Sequence, residues 1–93
     1  MRLAPANPEM QSDLCYILQR LGRLDEAISH CDESLRLKPD FVAAHLNRGT
    51  ILAAEAKNEA AETEFSRVLA LDPSNAEARA ELDHFRALLG AHP

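Results

Sequence analysis

The sequence has no tryptophan, only three glycines and only four aromatic residues, Tyr16, Phe41, Phe65 and Phe85, in 93 positions. Scattered aromatics without tryptophan leave no stacking platform for nucleobases. Three glycines leave no loop able to cradle a phosphate. Cations are also scarce: 10 Lys and Arg face 15 Asp and Glu, a net charge of −5. An acidic chain of this kind is a poor ligand for a phosphate backbone, so nucleic acid is excluded as a partner. No apolar run approaches the roughly 20 residues that span a bilayer. The first residues, Met1 to Pro8, hold no apolar signal core, so neither a membrane nor secretion is implied. The two cysteines, Cys15 and Cys31, are too few for a disulfide scaffold or a four-ligand zinc site, and are read as buried thiols of a reducing compartment; both lie on apolar faces and could meet across the first helix pair, which leaves a redox role as the alternative. What is present is an apolar content of 46%, enough to build a core. The expectation is a small, soluble, cytoplasmic, helix-rich protein of at most one domain.

The positive signal is a period. Pro5, Pro39 and Pro73 are evenly spaced along the chain, each closing a Leu-x-Pro. Leu18 and Leu52, Ala27 and Ala61, and Leu35 and Leu69 keep the same spacing. Cys15 falls in the column of Gly49, and Cys31 in that of Phe65. Leu14, Arg48 and Leu82 share a column that is not uniformly apolar.

Each unit reads as two helices and two turns. Asn7 followed by Pro8 is an N-cap and a first-turn proline, whose missing N–H costs nothing there. Met10, Leu14, Ile17 and Leu21 recur at i, i+4, i+7 and i+11, one face of a helix. Gly22 stands where a left-handed residue ends it. Asp25 and Glu26 favour the next helix start, and Ala27, Ile28, Cys31, Leu35 and Leu37 form its apolar face. Lys38 and Pro39 end it. In the second unit Asp40 is the expected N-cap, and Ala44, Leu46, Ile51 and Leu52 the apolar residues of the first helix. The turn near Ala56-Lys57-Asn58 lacks glycine and is expected to differ from that at Gly22. The following helix is expected to bury Ala61, Phe65, Val68, Leu69 and Leu71. Ser74 with Glu77 reads as a capping box. Ala78, Leu82, Phe85 and Leu89 then mark a fifth helix that stops at Gly90.

These residues resemble the tetratricopeptide repeat family, whose helix–turn–helix module is about 34 residues long. Gly49, Leu52, Ala61, Phe65, Val68 and Pro73 fill its pattern in one unit, and Leu14, Leu18, Gly22, Ala27, Leu35 and Pro39 in the other. Asn47-Arg48-Gly49 matches a common variant. Cys15, Gly49, Ala27 and Ala61 are small residues that let paired helices approach. Gln11 and His45 stand where the family often has tryptophan, Cys31 replaces an aromatic, and Asp83 and Arg86 are polar where a second helix would pack. The resemblance implies an all-α solenoid with two full repeats, 8–39 and 42–73, and a capping or partial-repeat helix, 76–89. It implies a binding scaffold without catalysis or cofactor.

On that scaffold the first helix of each pair lines a concave face. The expected ligand-binding residues are Ser12, Tyr16, Gln19 and Arg20, then Leu46, Asn47, Thr50 and Ala54, then Glu77, Glu81 and His84, with Glu9 and Asp13 beside them. One arginine against Glu9, Asp13, Glu77 and Glu81 suits a basic or neutral peptide. Co-chaperone members of the family clamp acidic C-terminal peptides with Lys, Asn and Arg. Here only Asn47 fits, while Glu77 and Glu81 would repel a carboxylate, and the clamp is rejected. His30, His45, His84 and His92 have no metal-site spacing and are expected on helix surfaces. Glu55, Glu59, Glu62 and Glu64 read as a solvated surface. Two readings compete with a protein-interaction module. One is a non-catalytic repeat region of a larger bacterial enzyme such as a transferase, for which Leu3-Ala4-Pro5 would be the tail of an earlier unit. The other is self-association, because Met10, Leu14, Ile17 and Leu21 lack a preceding helix to cover them.

Overall fold

A computed structural model of the chain describes residues 7–88. Those residues form five helices: α1 (Pro8–Arg20), α2 (Leu24–Leu37), α3 (Val42–Ala54), α4 (Asn58–Leu71) and α5 (Ala76–Leu88). The starts and ends of α1, α3 and α5 recur at the spacing of the prolines, as do those of α2 and α4. Leu89, Gly90, His92 and Leu3-Ala4-Pro5, used in the sequence reading, lie outside the described residues.

Local chemistry accounts for the helix ends. Asn7 is extended and its side chain accepts from the Met10 N–H at 2.6 Å, while Pro8 occupies the first turn. The cap of α5 is Asn75 and not Ser74: the Asn75 Oδ1 accepts from the Ala78 N–H at 2.9 Å, and Ser74 Oγ donates to Asp72 instead. Asp40 does not cap α3 either. Phe41 holds the cap position without a side-chain bond, and the Lys38 ammonium lies 5.0 Å above its ring.

The two turns inside the hairpins are alike, against the expectation for the second. At the first, Gly22 has φ +80°, and the N–H groups of Gly22 and Arg23 donate to Gln19 and Leu18. At the second, Ala56 has φ +61°, and Ala56 and Lys57 donate to Ala53 and Leu52. The same hydrogen bonds force the same left-handed residue, whether or not glycine is there to adopt it. For an alanine that conformation costs about 1–2 kcal/mol. Ala56→Gly should therefore raise stability by about 0.5–1 kcal/mol after allowing for the looser unfolded chain, read as a higher urea midpoint. No change or a loss would contradict this account of the turn.

Helices α1 and α2 pack as one antiparallel hairpin and α3 and α4 as another, with α2 against α3 and α4 against α5. Helix α1 also touches α3 directly. The core has two centres. One gathers Leu52, Ala61, Phe65, Val68, Ala78, Leu82 and Phe85, and the other Cys15, Ala27, Cys31 and Ile51. Ile28 packs against both and joins them. Leu46 and Leu69 are half-buried at the edge of the first, whereas Leu71 is exposed because it falls at the last residue of α4.

Cys15 and Cys31 form a disulfide between α1 and α2, with Cα atoms 5.4 Å apart and neither side chain exposed. They are therefore not free thiols, and the step from free thiols to a reducing compartment falls with them. The period explains why they meet. In the second hairpin the same two columns hold Gly49 and Phe65, and a Cβ on Gly49 would lie 3.0 Å from the Phe65 ring. The hairpin geometry brings these columns into contact, so two cysteines placed there are within bonding reach.

Candidate functional site

The face formed by α1 and α3 is built on one cross-helix bond. Asn47 Nδ2 donates to the Ser12 carbonyl at 3.2 Å and to its Oγ at 3.1 Å. This bond holds the first helices of the two hairpins side by side. Ser12, expected to meet a ligand, is buried, because Asn47 covers it. Asn47 is half-buried and spends its donor on Ser12. Leu46 is half-buried against the core, and Thr50 Oγ1 donates to the Leu46 carbonyl at 2.9 Å. The middle of this face is thus built of residues engaged in the fold.

The exposed candidates lie at its two ends. On α1, Tyr16 and Arg20 are exposed, with the guanidinium 5.9 Å from the Tyr16 ring centroid. Glu9 and Asp13 are exposed beside them. Gln19 is half-buried, and its Oε1 has no partner among the described residues. On α5, Glu77 and His84 are exposed and Glu81 is half-buried. Ala54 is exposed at the end of α3. Among the described residues no three His, Cys, Asp or Glu side chains converge to hold a metal, and no helix is long and apolar enough to cross a membrane.

Of the structural positions, Ala27, Cys31, Leu52, Ala61 and Phe65 are buried, Leu18 is half-buried, and Pro39 and Pro73 sit exposed in the turns they make. Leu14 is exposed, because in the described residues nothing covers the outer face of α1.

A second polar cluster went unread in the sequence. His45 is buried: its Nε2 donates to the Pro39 carbonyl at 2.7 Å, and its Nδ1 lies 2.7 Å from Glu64 Oε1. Glu64 belongs to no solvated surface. It is buried against α3 and also accepts from Arg48 Nη1 at 2.5 Å. Arg48 Nε donates in turn to Asp32 of α2 at 2.8 Å, so the cluster ties α2, α3 and α4 together. Burial opposes the charge on Arg48, but the bonds to Asp32 and Glu64 outweigh it and hold its pKa above the ordinary arginine range. The repeat spacing carries the signal that would have found this cluster. Gln11 and His30 occupy the same columns in the first hairpin and are bonded there too, Nδ1 to Oε1 at 2.6 Å. Polar residues paired at both repeats of a column contact point to a buried clasp between helices.

This arrangement has relatives. The tetratricopeptide repeat family model matches residues 20–82. DnaJ homolog subfamily C member 7 of Homo sapiens is 32% identical over 87 residues, covering 94% of this chain and 18% of that protein. The UDP-N-acetylglucosamine–peptide N-acetylglucosaminyltransferase of Giardia intestinalis is 30% identical over 89 residues, covering 96% of this chain and 6% of the enzyme. The chain thus spans under a fifth of the length of either relative. Among solved structures, the first TPR of Spaghetti (RPAP3) bound to the HSP90 peptide SRMEEVD superposes with a TM-score of 0.85 at 31% identity, over 89% of this chain and 66% of that one. The match over residues 20–82, on five helices that recur at one fixed spacing, shows that the chain belongs to the tetratricopeptide repeat family.

Proposed function

We propose that this chain is a non-catalytic protein-interaction module that binds a basic or neutral peptide along α1, α3 and α5. The observation that carries the reading is charge placement. Glu9, Asp13 and Glu77 are exposed and Glu81 half-exposed, against Arg20 as the exposed cation of this face, while the α3 stretch between them is uncharged at Leu46, Asn47 and Thr50. Carboxylates at both ends attract a cationic ligand and repel an anionic one. The neighbouring RPAP3 domain is bound to a peptide rich in carboxylates. This chain shares that scaffold and carries the opposite preference.

The test is a pair of labelled peptides, SRMEEVD and a version with its acidic residues changed to lysine, titrated at low salt. The basic peptide should bind at least about tenfold more tightly, lose affinity as salt rises, and lose its advantage with Glu77→Lys/Glu81→Lys. Tighter binding of the acidic peptide would overturn the reading. Asn47→Ala and Leu46→Ala are unsuited to this purpose, since both side chains also hold the fold.

A second reading is favoured by the Giardia match: the chain as the non-catalytic repeat region of a larger enzyme, presenting a partner to a catalytic domain. The same peptide surface would serve it. The face of α1 that residues 7–88 leave uncovered is a separate candidate contact surface.

A further inference from the structure

The outer face of α1 carries Met10, Leu14, Ile17 and Leu21, which are 45%, 36%, 52% and 65% exposed. Two repeats further on, the same columns of α5 hold Ala78, Leu82 and Phe85, and all three are buried under α4. In and just after α3 the columns hold Ala44 and Ile51, also buried, and Arg48 and Glu55, half-buried. The face is therefore one that this architecture covers wherever a helix is available to cover it. Its four side chains expose roughly 350 Å² of apolar surface, within the range of a contact patch and large for so short a helix.

We infer that this face pairs with the same face of a second copy, α1 against α1, antiparallel about a two-fold axis. The spacing i, i+4, i+7, i+11 is the alternation of four and three that lets two helices interlock. In the antiparallel register, Leu14 lies beside Ile17 of the partner subunit and Met10 beside Leu21 of the partner subunit. The residues flanking this seam on one side are Asp13 and Arg20, both exposed. The same register sets Asp13 opposite Arg20 of the partner subunit, and the two-fold axis makes the pair twice. A parallel arrangement has no such match, since it sets Asp13 opposite Leu18, which packs against the core of the first hairpin. Head-to-tail stacking is disfavoured as well. The side of α5 that no described residue covers presents Arg79 and Asp83, both exposed, with the exposed Arg86 at its edge, 4.0 Å from Glu62 of α4, and an apolar stripe gains nothing by covering them. With flanking atoms included, the contact buries on the order of 1,000 Å² in total, at the low end for a specific interface, and the dimer is a weak one of micromolar affinity.

Sedimentation velocity of the whole chain, without ligand and without reductant, from about 1 to 500 µM tests this. Wild type should pass from monomer to dimer, and Ile17→Glu should remain monomeric with an unchanged helical spectrum. Asp13→Arg and Arg20→Asp should each weaken the dimer at least about tenfold, and Asp13→Arg/Arg20→Asp should restore it, because each single change sets like charges together and the double change reverses both. A wild type that stays monomeric throughout overturns the inference and leaves the face to a helix of another chain or another repeat. A dimer indifferent to Ile17→Glu, or one that the double change does not restore, overturns it equally. The readout involves no peptide. Asp13 and Arg20 border both surfaces, so the peptide titration is judged at Glu77 and Glu81 of α5, outside this seam, and the failure of one reading is told apart from the failure of the other.

Discussion

Replacing Phe65 by alanine should lower the unfolding free energy by about 3–5 kcal/mol, the largest single-residue effect in the molecule. The ring is fully buried, lies close over Gly49 of α3, and stacks on Phe85 of α5 with centroids 6.0 Å apart. It thus touches both the helix before it and the helix after it. Its removal leaves a void that Gly49 cannot fill, since glycine has no side chain to move in, and that Leu82 and Phe85 can fill only by shifting α5 off α4. At a denaturant slope of about 1–2 kcal/mol/M the urea midpoint should fall by at least about 1.5 M. Loss of the α5 signal should accompany that fall. A loss below about 1 kcal/mol would show that the ring does not join the two layers.

The second large effect belongs to the disulfide. Cys15→Ala/Cys31→Ala should lose about 3 kcal/mol, the value expected for closing a loop of this size. The closed loop has a sequence separation of 16 and contains only the end of α1, the turn at Gly22 and the start of α2. The bond also supplies packing. It occupies the columns where the second hairpin sets a phenylalanine against a glycine, and it does there with a covalent link what Phe65 and Gly49 do with volume. Cys15→Gly/Cys31→Phe should therefore recover more than half of the loss, with the new ring packing toward Ile51 as Phe65 packs toward Phe85. If the glycine–phenylalanine pair is no better than the double alanine, the two hairpins are not equivalent at this point. Differential scanning calorimetry of the three proteins under non-reducing conditions decides it.

These predictions lean on the period, and the period was legible from the start. Five helices, their order, their turns and their family follow from prolines, small residues and apolar columns that recur at one spacing, because each is a local requirement. A proline stops a helix wherever it stands, and an i, i+4, i+7 stripe makes one face apolar in any surroundings. The errors at Asp40 and Ser74 were each of one position: Asn75 caps α5 in place of its polar neighbour Ser74, and Phe41 takes the cap position of α3 with no side-chain bond, so only the path of the chain chooses. At Ala56 the residue type argued against the turn that formed. The hairpin's hydrogen bonds overrode a preference worth about 1–2 kcal/mol.

The candidate site was less legible, for a different reason. Helical spacing says which residues share a face but not how close the next helix comes. Ser12 and Asn47 are both polar and both on the expected face, yet they bond to each other and leave little for a ligand. Glu64 stands among Glu55, Glu59 and Glu62 in the sequence and is buried with His45 and Arg48 in the structure. A carboxylate turns inward only if hydrogen-bonding partners wait there, and those, His45 and the Arg48 guanidinium, come from α3, at separations of 19 and 16 residues.

What the sequence by itself determined is therefore the scarcity on which it opens and the fold that scarcity permits. With little glycine and no tryptophan there is no phosphate loop and no stacking platform, and with a strict period there is a helical repeat. The tertiary structure alone decided that Cys15 and Cys31 are bonded and that Ser12 and Glu64 face inward. It also decided that Met10, Leu14, Ile17 and Leu21 face nothing within residues 7–88. The physical reason is range. Caps, turns and apolar stripes are set within about one helical turn of the chain, whereas a disulfide, a buried ion pair or a covered face depends on the distance between helices that the chain reaches only after folding.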